Sequence, residues 1–228
     1  MKSIIRRILV ACAGLLATFS LSASPVGELA RVSGEVKIRT ASGQESAGKR
    51  KTPVSAGDRI ITAASSQALI RLQDKSTLLV RPSSELEIKA FVFEKSSQDK
   101  METNLVSGAL RAVSGEIAKR RPESVKHAAG TATIGIRGTD IEVAIIPDGQ
   151  ADRAGLYNYV YDGKTALTLA SGQTAEVEKE LTGFVPEKPL PGEPAILILR
   201  DRPAFLQSSG FDTLMQQLTQ PRLPMIPR

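Results

Sequence analysis

Aromatic side chains are scarce in this 228-residue chain: there is no Trp, with 3 Tyr and 6 Phe, 4% in all. Proteins that read single-stranded nucleic acid stack bases on rings, so the composition argues against a nucleic-acid partner. Histidine occurs once, at His127, and cysteine once, at Cys12. A zinc site needs several nitrogen or sulfur ligands, and calcium needs clustered oxygens such as an Asp-x-Asp-x-Asp-Gly loop. Neither pattern is present, and no metal or cofactor is expected. There is no Gly-x-Ser-x-Gly elbow and no His-Glu-x-x-His pair. Gly130, Gly135 and Gly138 lie close together, but in a β-patterned stretch rather than before a helix. With a lone histidine beside Lys126, read as a surface or turn residue, catalysis has no nucleophile–base pair and the chain is read as a non-enzyme.

What is present begins with an address. Residues 1–7 carry Lys2, Arg6 and Arg7, Ile8 to Leu21 is uncharged and mostly apolar, and Ser20, Ser22, Ala23 and Ser24 follow. This is the order of a secretory signal peptide, with an apolar run too short for a comfortable transmembrane helix. Cleavage is expected after Ser22 or Ala23, giving a signal peptide over 1–24 and a periplasmic mature chain without a transmembrane segment. The formal charge of +6 falls to +3 once those three cations are removed. Leu9-Val10-Ala11-Cys12 looks like a lipobox, but lipidation there would discard most of the apolar run.

From Gly27 to about Val185 the hydrophobic period is two. Leu86, Ile88, Ala90 and Val92 alternate with Glu85, Glu87 and Lys89, and Ile141, Val143 and Ile145 with Asp140, Glu142 and Ala144. Such alternation predicts antiparallel strands with one buried face. Ser-Gly and Asp-Gly steps punctuate it, and Asp162-Gly163 predicts a hairpin turn between Tyr157–Tyr161 and Thr165–Leu169. The fold class is all-β: a sandwich or solenoid-like stack of short antiparallel strands. The near-echo of Val32-Ser33-Gly34-Glu35-Val36 in Val113-Ser114-Gly115-Glu116-Ile117 hints at two related halves. Residues 186–228 form a Pro-rich C-terminal extension; Ala195–Leu199 is a candidate edge strand and 211–219 a short helix. The basic clusters Lys49-Arg50-Lys51 and Lys119-Arg120-Arg121 read as solvated loops, with an anionic polymer or lipid headgroup as the functional alternative.

Several ordered motifs over residues 27–180 resemble the FecR domain family. They are Val32-Ser33-Gly34-Glu35-Val36, the Gly57-Asp58 turn, Asp74-Lys75-Ser76 between alternating strands, Gly108-Ala109-Leu110-Arg111, and Ile134-Gly135-Ile136-Arg137-Gly138-Thr139-Asp140. The resemblance implies that Gly57, Asp58, Asp74, Ser76, Gly108, Arg111, Arg137, Gly138 and Thr139 build the fold and do not bind a ligand. Gly57 and Gly138 are expected at backbone conformations costly for a Cβ, and Arg137 partly buried with a carboxylate or carbonyl partner. Lys75 stands where the family has glycine, so a positive φ there would strain it. The sigma-regulating members carry a cytosolic segment and a membrane helix before this domain, whereas here the domain follows the signal peptide. The sequence therefore predicts a FecR-like β domain over 25–185. Its expected role is that of a non-catalytic periplasmic binding or sensing module contacting an envelope protein or cell-wall glycan. The alternative is a structural accessory protein of an outer-membrane or secretion assembly, docked through the extension.

Overall fold

The computed structural model describes residues 24–206, and the proposed signal peptide and the helix expected over 211–219 lie outside them. Fifteen strands form one open hydrogen-bonded sheet. They are β1 (Pro25–Ser33), β2 (Val36–Arg39), β3 (Glu45–Ala47), β4 (Pro53–Ser55), β5 (Arg59–Thr62), β6 (Gln67–Leu72), β7 (Thr77–Val80) and β8 (Glu85–Val92), then β9 (Lys100–Val113), β10 (Val125–Ala129), β11 (Ala132–Ile146), β12 (Gly155–Leu169), β13 (Thr174–Glu178), β14 (Thr182–Pro186) and β15 (Leu197–Leu199). The only α-helix among the described residues, α1 (Glu116–Arg120), carries the chain from β9 toward β10. All pairings are antiparallel except β9 with β10.

The all-β reading holds, and three strands are longer than expected. β9, β11 and β12 each change partners part-way along. The first half of β9 pairs with β8 and β10, the second with β7 and β11. β12 pairs with β14 before its midpoint and with β13 after it. The change falls at Gly108, Gly138 and Gly163, whose φ values are +78°, +62° and +76°. Only glycine reaches such angles without steric cost. The bend is sharp. Asn158 and Thr165 lie seven residues apart on β12, about 23 Å along a straight strand, yet the Thr165 hydroxyl donates to Asn158 Oδ1 at 2.6 Å. The sheet thus folds over into two arms, one holding β2, β3, β5, β8, β10 and β13, the other β1, β4, β6, β7, β14 and β15. Their inner faces meet: a Cβ at Gly183 on β14 would stand 2.7 Å from Val177 on β13. One apolar core, with Ile60, Ile88 and Ile134 from one arm and Leu29, Leu78 and Val143 from the other, fills the space between.

Several local expectations are corrected. Asp162-Gly163 is no hairpin turn; its glycine supplies the positive φ, but inside β12, as a bulge opposite Arg137–Asp140 of β11. A bulge between Ile88 and Ala90 breaks the alternation of β8, so Phe91 takes the inward place and Ala90 and Val92 are only half-buried. The echoed pentapeptides join β1 to β2 and β9 to α1, so they are not equivalent. Lys119 and Arg120 end α1 rather than occupying a loop. His127 is no surface residue: it lies inward on β10, 2% exposed, between β9 and β11. Ala195–Leu199 does supply an edge strand, β15, paired with β14.

Candidate functional site

The outer face of the second arm gathers charged and aromatic side chains from β9, β11 and β12. Strand alternation sends Ile141 and Val143 of β11 into the core and Asp140 and Glu142 outward. Register aligns Leu79 of β7, Arg111 of β9, Glu142 of β11 and Tyr159 of β12 in one row. All three tyrosines of the chain, Tyr157, Tyr159 and Tyr161, alternate on this side of β12.

The side chains in this row satisfy one another. Arg111 donates to both carboxylate oxygens of Asp140 at 2.9 and 2.8 Å, and its guanidinium stacks 3.8 Å from the Tyr161 ring centre. Glu142 is fully buried. It accepts the Tyr161 hydroxyl at 2.7 Å and pairs with Arg81. Burial pushes the Glu142 carboxyl up, opposed by Arg81 and by the Tyr161 hydroxyl. Burial and the neighbouring Glu142 charge likewise raise the Tyr161 phenol. Both groups hold their protons more tightly than usual. Each bond in the row restrains its neighbours, so the side chains are held in fixed positions.

The segment after β14 crosses this face. Arg202 lies 4.7 Å from the Tyr161 ring centre and 5.5 Å from that of Tyr159. Phe205 meets Tyr157 edge-on at 5.0 Å, Tyr157 stacks on Phe184, and Leu206 is buried. The Asp201 carbonyl accepts the Thr182 hydroxyl at 3.0 Å. Among the described residues, no group of three or more His, Cys, Asp or Glu side chains stands close enough to hold a metal ion.

A family model, FecR protein, matches residues 58–175. The chain belongs to the FecR protein family. Two crystal structures, each of a candidate anti-sigma factor from Parabacteroides distasonis, are similar at 13% identity. The first has a TM-score of 0.47 and covers 63% of this chain, and this chain spans 59% of that protein. The second has a TM-score of 0.50, with 70% of this chain and 72% of that one covered. At this identity the second shows a shared fold alone. A comparison with curated proteins finds no match.

The FecR-motif residues fall in three places. Asp74, Ser76, Arg111 and Thr139 converge where β7, β9 and β11 meet. The buried Asp74 carboxylate accepts the Ser76 amide and hydroxyl at 3.0 and 2.7 Å and the Ile117 amide at 3.4 Å. Ser114 and Thr139 exchange backbone and hydroxyl bonds at 2.8–3.0 Å, pinning β9 to β11 beside the Gly138 bend. Gly57 and Asp58 form a separate turn. Gly57 has a φ of +89°, and the buried Asp58 accepts the Ser55 amide at 2.8 Å. Burial raises the Asp58 carboxyl against that bond. Gly108 bends β9, where a Cβ would strike Ser84. Arg137 departs from expectation: it is exposed, with no side-chain hydrogen bond or ion pair among the described residues. Arg111 instead holds the kind of partner expected for Arg137, because β9 lies central in the sheet while Arg137 sits on the outward side of a bulge.

Sequence reasoning missed Arg81, Asp140, Glu142, Tyr161 and Arg202 as a group. Asp140 and Glu142 looked like an ordinary wet face. The available signal was Tyr157-x-Tyr159-x-Tyr161, which places every tyrosine on one face of one strand.

Proposed function

We propose that this FecR-family protein is a non-catalytic periplasmic binding or sensing module that contacts an envelope protein or cell-wall glycan through the outer face of the second arm. One observation carries this reading: Arg81, Arg111, Asp140, Glu142 and Tyr161 are satisfied by one another. They hold half-exposed Tyr159 and Tyr161 and the flanking Arg202 in fixed positions on a rigid sheet. Tyrosine and arginine are the residues most enriched where interfaces draw their binding energy. The alternative, an accessory protein of an outer-membrane or secretion assembly docked through its extension, is less favoured. Residues 197–206, the nearer part of that extension, are engaged with their own body. We further propose domain limits of 25–185 for the β domain and 186–228 for the extension.

A photo-crosslinking residue at Tyr159, with one at Thr168 on the outer face of the first arm as control, tests the reading in cells. Capture of an envelope protein or of peptidoglycan from position 159 alone supports it. No adduct, or equal adducts from both positions, overturns it. The exported chain isolated from its cells should begin near Ala23 or Ser24; an intact Met1 in the cytosol or a diacylated Cys12 would refute the periplasmic assignment.

A further inference from the structure

The two basic clusters of the sequence have different fates in the fold. Arg120 is tied to Asp99 at 2.7 Å, and Arg121 to Glu123 at 3.2 Å. Lys49, Arg50 and Lys51 instead stand exposed in the loop between β3 and β4, and β1 and β6 add two more cations beside them. The Lys51 amide donates to the Leu29 carbonyl at 2.7 Å and the Leu29 amide to the Thr52 carbonyl at 2.9 Å, so backbone bonds fix the loop against β1 next to Arg31. On the other side of β1, Arg71 of β6 pairs in register with Glu28. Arg31, Lys49, Arg50, Lys51 and Arg71 are all exposed, and none makes a side-chain hydrogen bond or ion pair among the described residues. Elsewhere Arg39, Arg59, Arg81 and Arg111 each hold a carboxylate. Around β1, five cations face one acid, Glu28.

The physical character of this patch narrows its partner. The depression beside Arg31, floored by Leu69 and Leu79, has a volume of about 10 Å³, room for no more than a water. No described ring stacks there: the phenylalanines and tyrosines lie on β12 and β14, at Phe205, and around the end of β8. A protein interface needs an apolar centre, and the large exposed apolar side chains, Val106, Leu190 and Ile198, belong to other parts of the sheet. Long, unpaired cations on a shallow surface without an apolar anchor suit a partner whose negative charge is itself spread over a plane.

We propose that the face around β1 docks on an anionic phospholipid membrane through Arg31, Lys49, Arg50, Lys51 and Arg71. This patch lies toward the β1 edge of the same outer face, beyond Leu79 from the tyrosine–arginine row, and the proposal does not depend on the sensing role. Attraction to anionic lipid is about 1 kcal/mol per cation near the surface, so removing three charges should weaken partitioning about a hundredfold. The test is co-sedimentation of the full chain with vesicles of phosphatidylglycerol and phosphatidylcholine against vesicles of phosphatidylcholine alone. Lys2, Arg6 and Arg7, which flank the apolar residues 8–21, also respond to lipid charge, but they are identical in every variant, so the patch is read from the difference between patch and control variants. Three substitutions together, Lys49→Gln, Arg50→Gln and Lys51→Asn, remove the loop charges, with asparagine chosen because it tolerates the positive φ at 51. Arg31→Gln with Arg71→Gln tests the strand half independently. Lys89→Gln, Lys100→Gln and Lys126→Gln make the same net-charge change as the loop variant elsewhere, and thermal melts check that every variant folds.

The expected result is preference for the anionic vesicles, lost at about 1 M salt where the screening length shrinks to about 3 Å, and lost in both patch variants but kept in the control. Equal binding to both vesicle types, equal loss in patch and control variants, or patch-dependent capture of an anionic polysaccharide with no vesicle binding would each overturn it.

Discussion

At the scale of single residues, burial and backbone angle decide what each substitution does. His127 is bonded through Nδ1 to the Thr103 hydroxyl at 2.8 Å, its Nε2 has no hydrogen-bond partner, and burial lowers its pKa from 6.5 to about 4. Between those pH values the unfolded chain binds the proton and the folded chain does not. Stability from this group is therefore full above pH 6.5 and falls as pH drops, by about 3 kcal/mol at pH 4. The buried Glu142 and Asp58 shift the opposite way, so the diagnostic is the difference between proteins: urea midpoints of His127→Leu should fall less steeply across pH 6.5 to 4 than those of wild type. Lys75 is held at a φ of +68° by the Asp74–Ser76 turn. Lys75→Gly should stabilise by about 0.5–1 kcal/mol, since the steric relief exceeds the entropy cost and the ion pair lost to Glu116 is highly exposed. Arg137→Ala should be near neutral, within about 0.5 kcal/mol, while Arg111→Ala should cost about 2–3 kcal/mol by stranding Asp140 and unstacking Tyr161. Thermal melts rank the two; the reverse order would mean that the exposed arginine carries a structural load absent from its contacts.

At the scale of elements, the fold rests on where long strands bend. A Cβ at Gly163 would lie 2.3 Å from the Gly138 carbonyl oxygen, backbone against backbone. Gly172, at a φ of +87°, has open space around it. Both substitutions to alanine incur the strain of a positive φ, about 1 kcal/mol, but only Gly163→Ala adds a collision that neither strand can relieve alone. It should destabilise by about 3 kcal/mol or more, read as a shift in denaturant midpoint. Such bends were half legible beforehand. The strands flanking them announce themselves through alternation, as at Leu86 and Ile88 of β8 and Ile141 and Val143 of β11. A glycine at positive φ, however, serves a hairpin and a mid-strand bulge alike, and only long-range pairing distinguishes them. The ladder from Arg137 and Asp140 to Lys164 and Asp162 does so for β12. The candidate face was less legible still. Glu142 follows the same outward alternation as a solvated glutamate, and its burial depends on Arg81 and Tyr161, 61 and 19 residues away in sequence.

At the scale of the whole molecule, the segment beyond β14 closes the structure. Removing residues 195–228 should bare Tyr157 and Phe184, leave β14 as an unprotected edge, lower the melting temperature and increase binding of a hydrophobic dye; unchanged melting would mean that the segment only rests on the face. The all-β class was readable across this span because strands such as β2, β5, β8 and β10 alternate, whereas the folding over of the sheet was not, being written only in which half of β9, β11 or β12 meets which partner. That sharing of β9 between the two arms has a consequence for synthesis. Its partners β7 and β8 precede it, but β10 and β11 on its other flank are made later. Until β10 is made the whole of that flank of the 14-residue β9 is unpaired, and until the ribosome has released Ile146 its second half stays so, the kind of template on which neighbouring chains add. The nascent protein is thus most vulnerable to self-association between one half and two-thirds of the way through its own translation, and chains arrested between Val113 and Ala132 should aggregate where the completed chain does not.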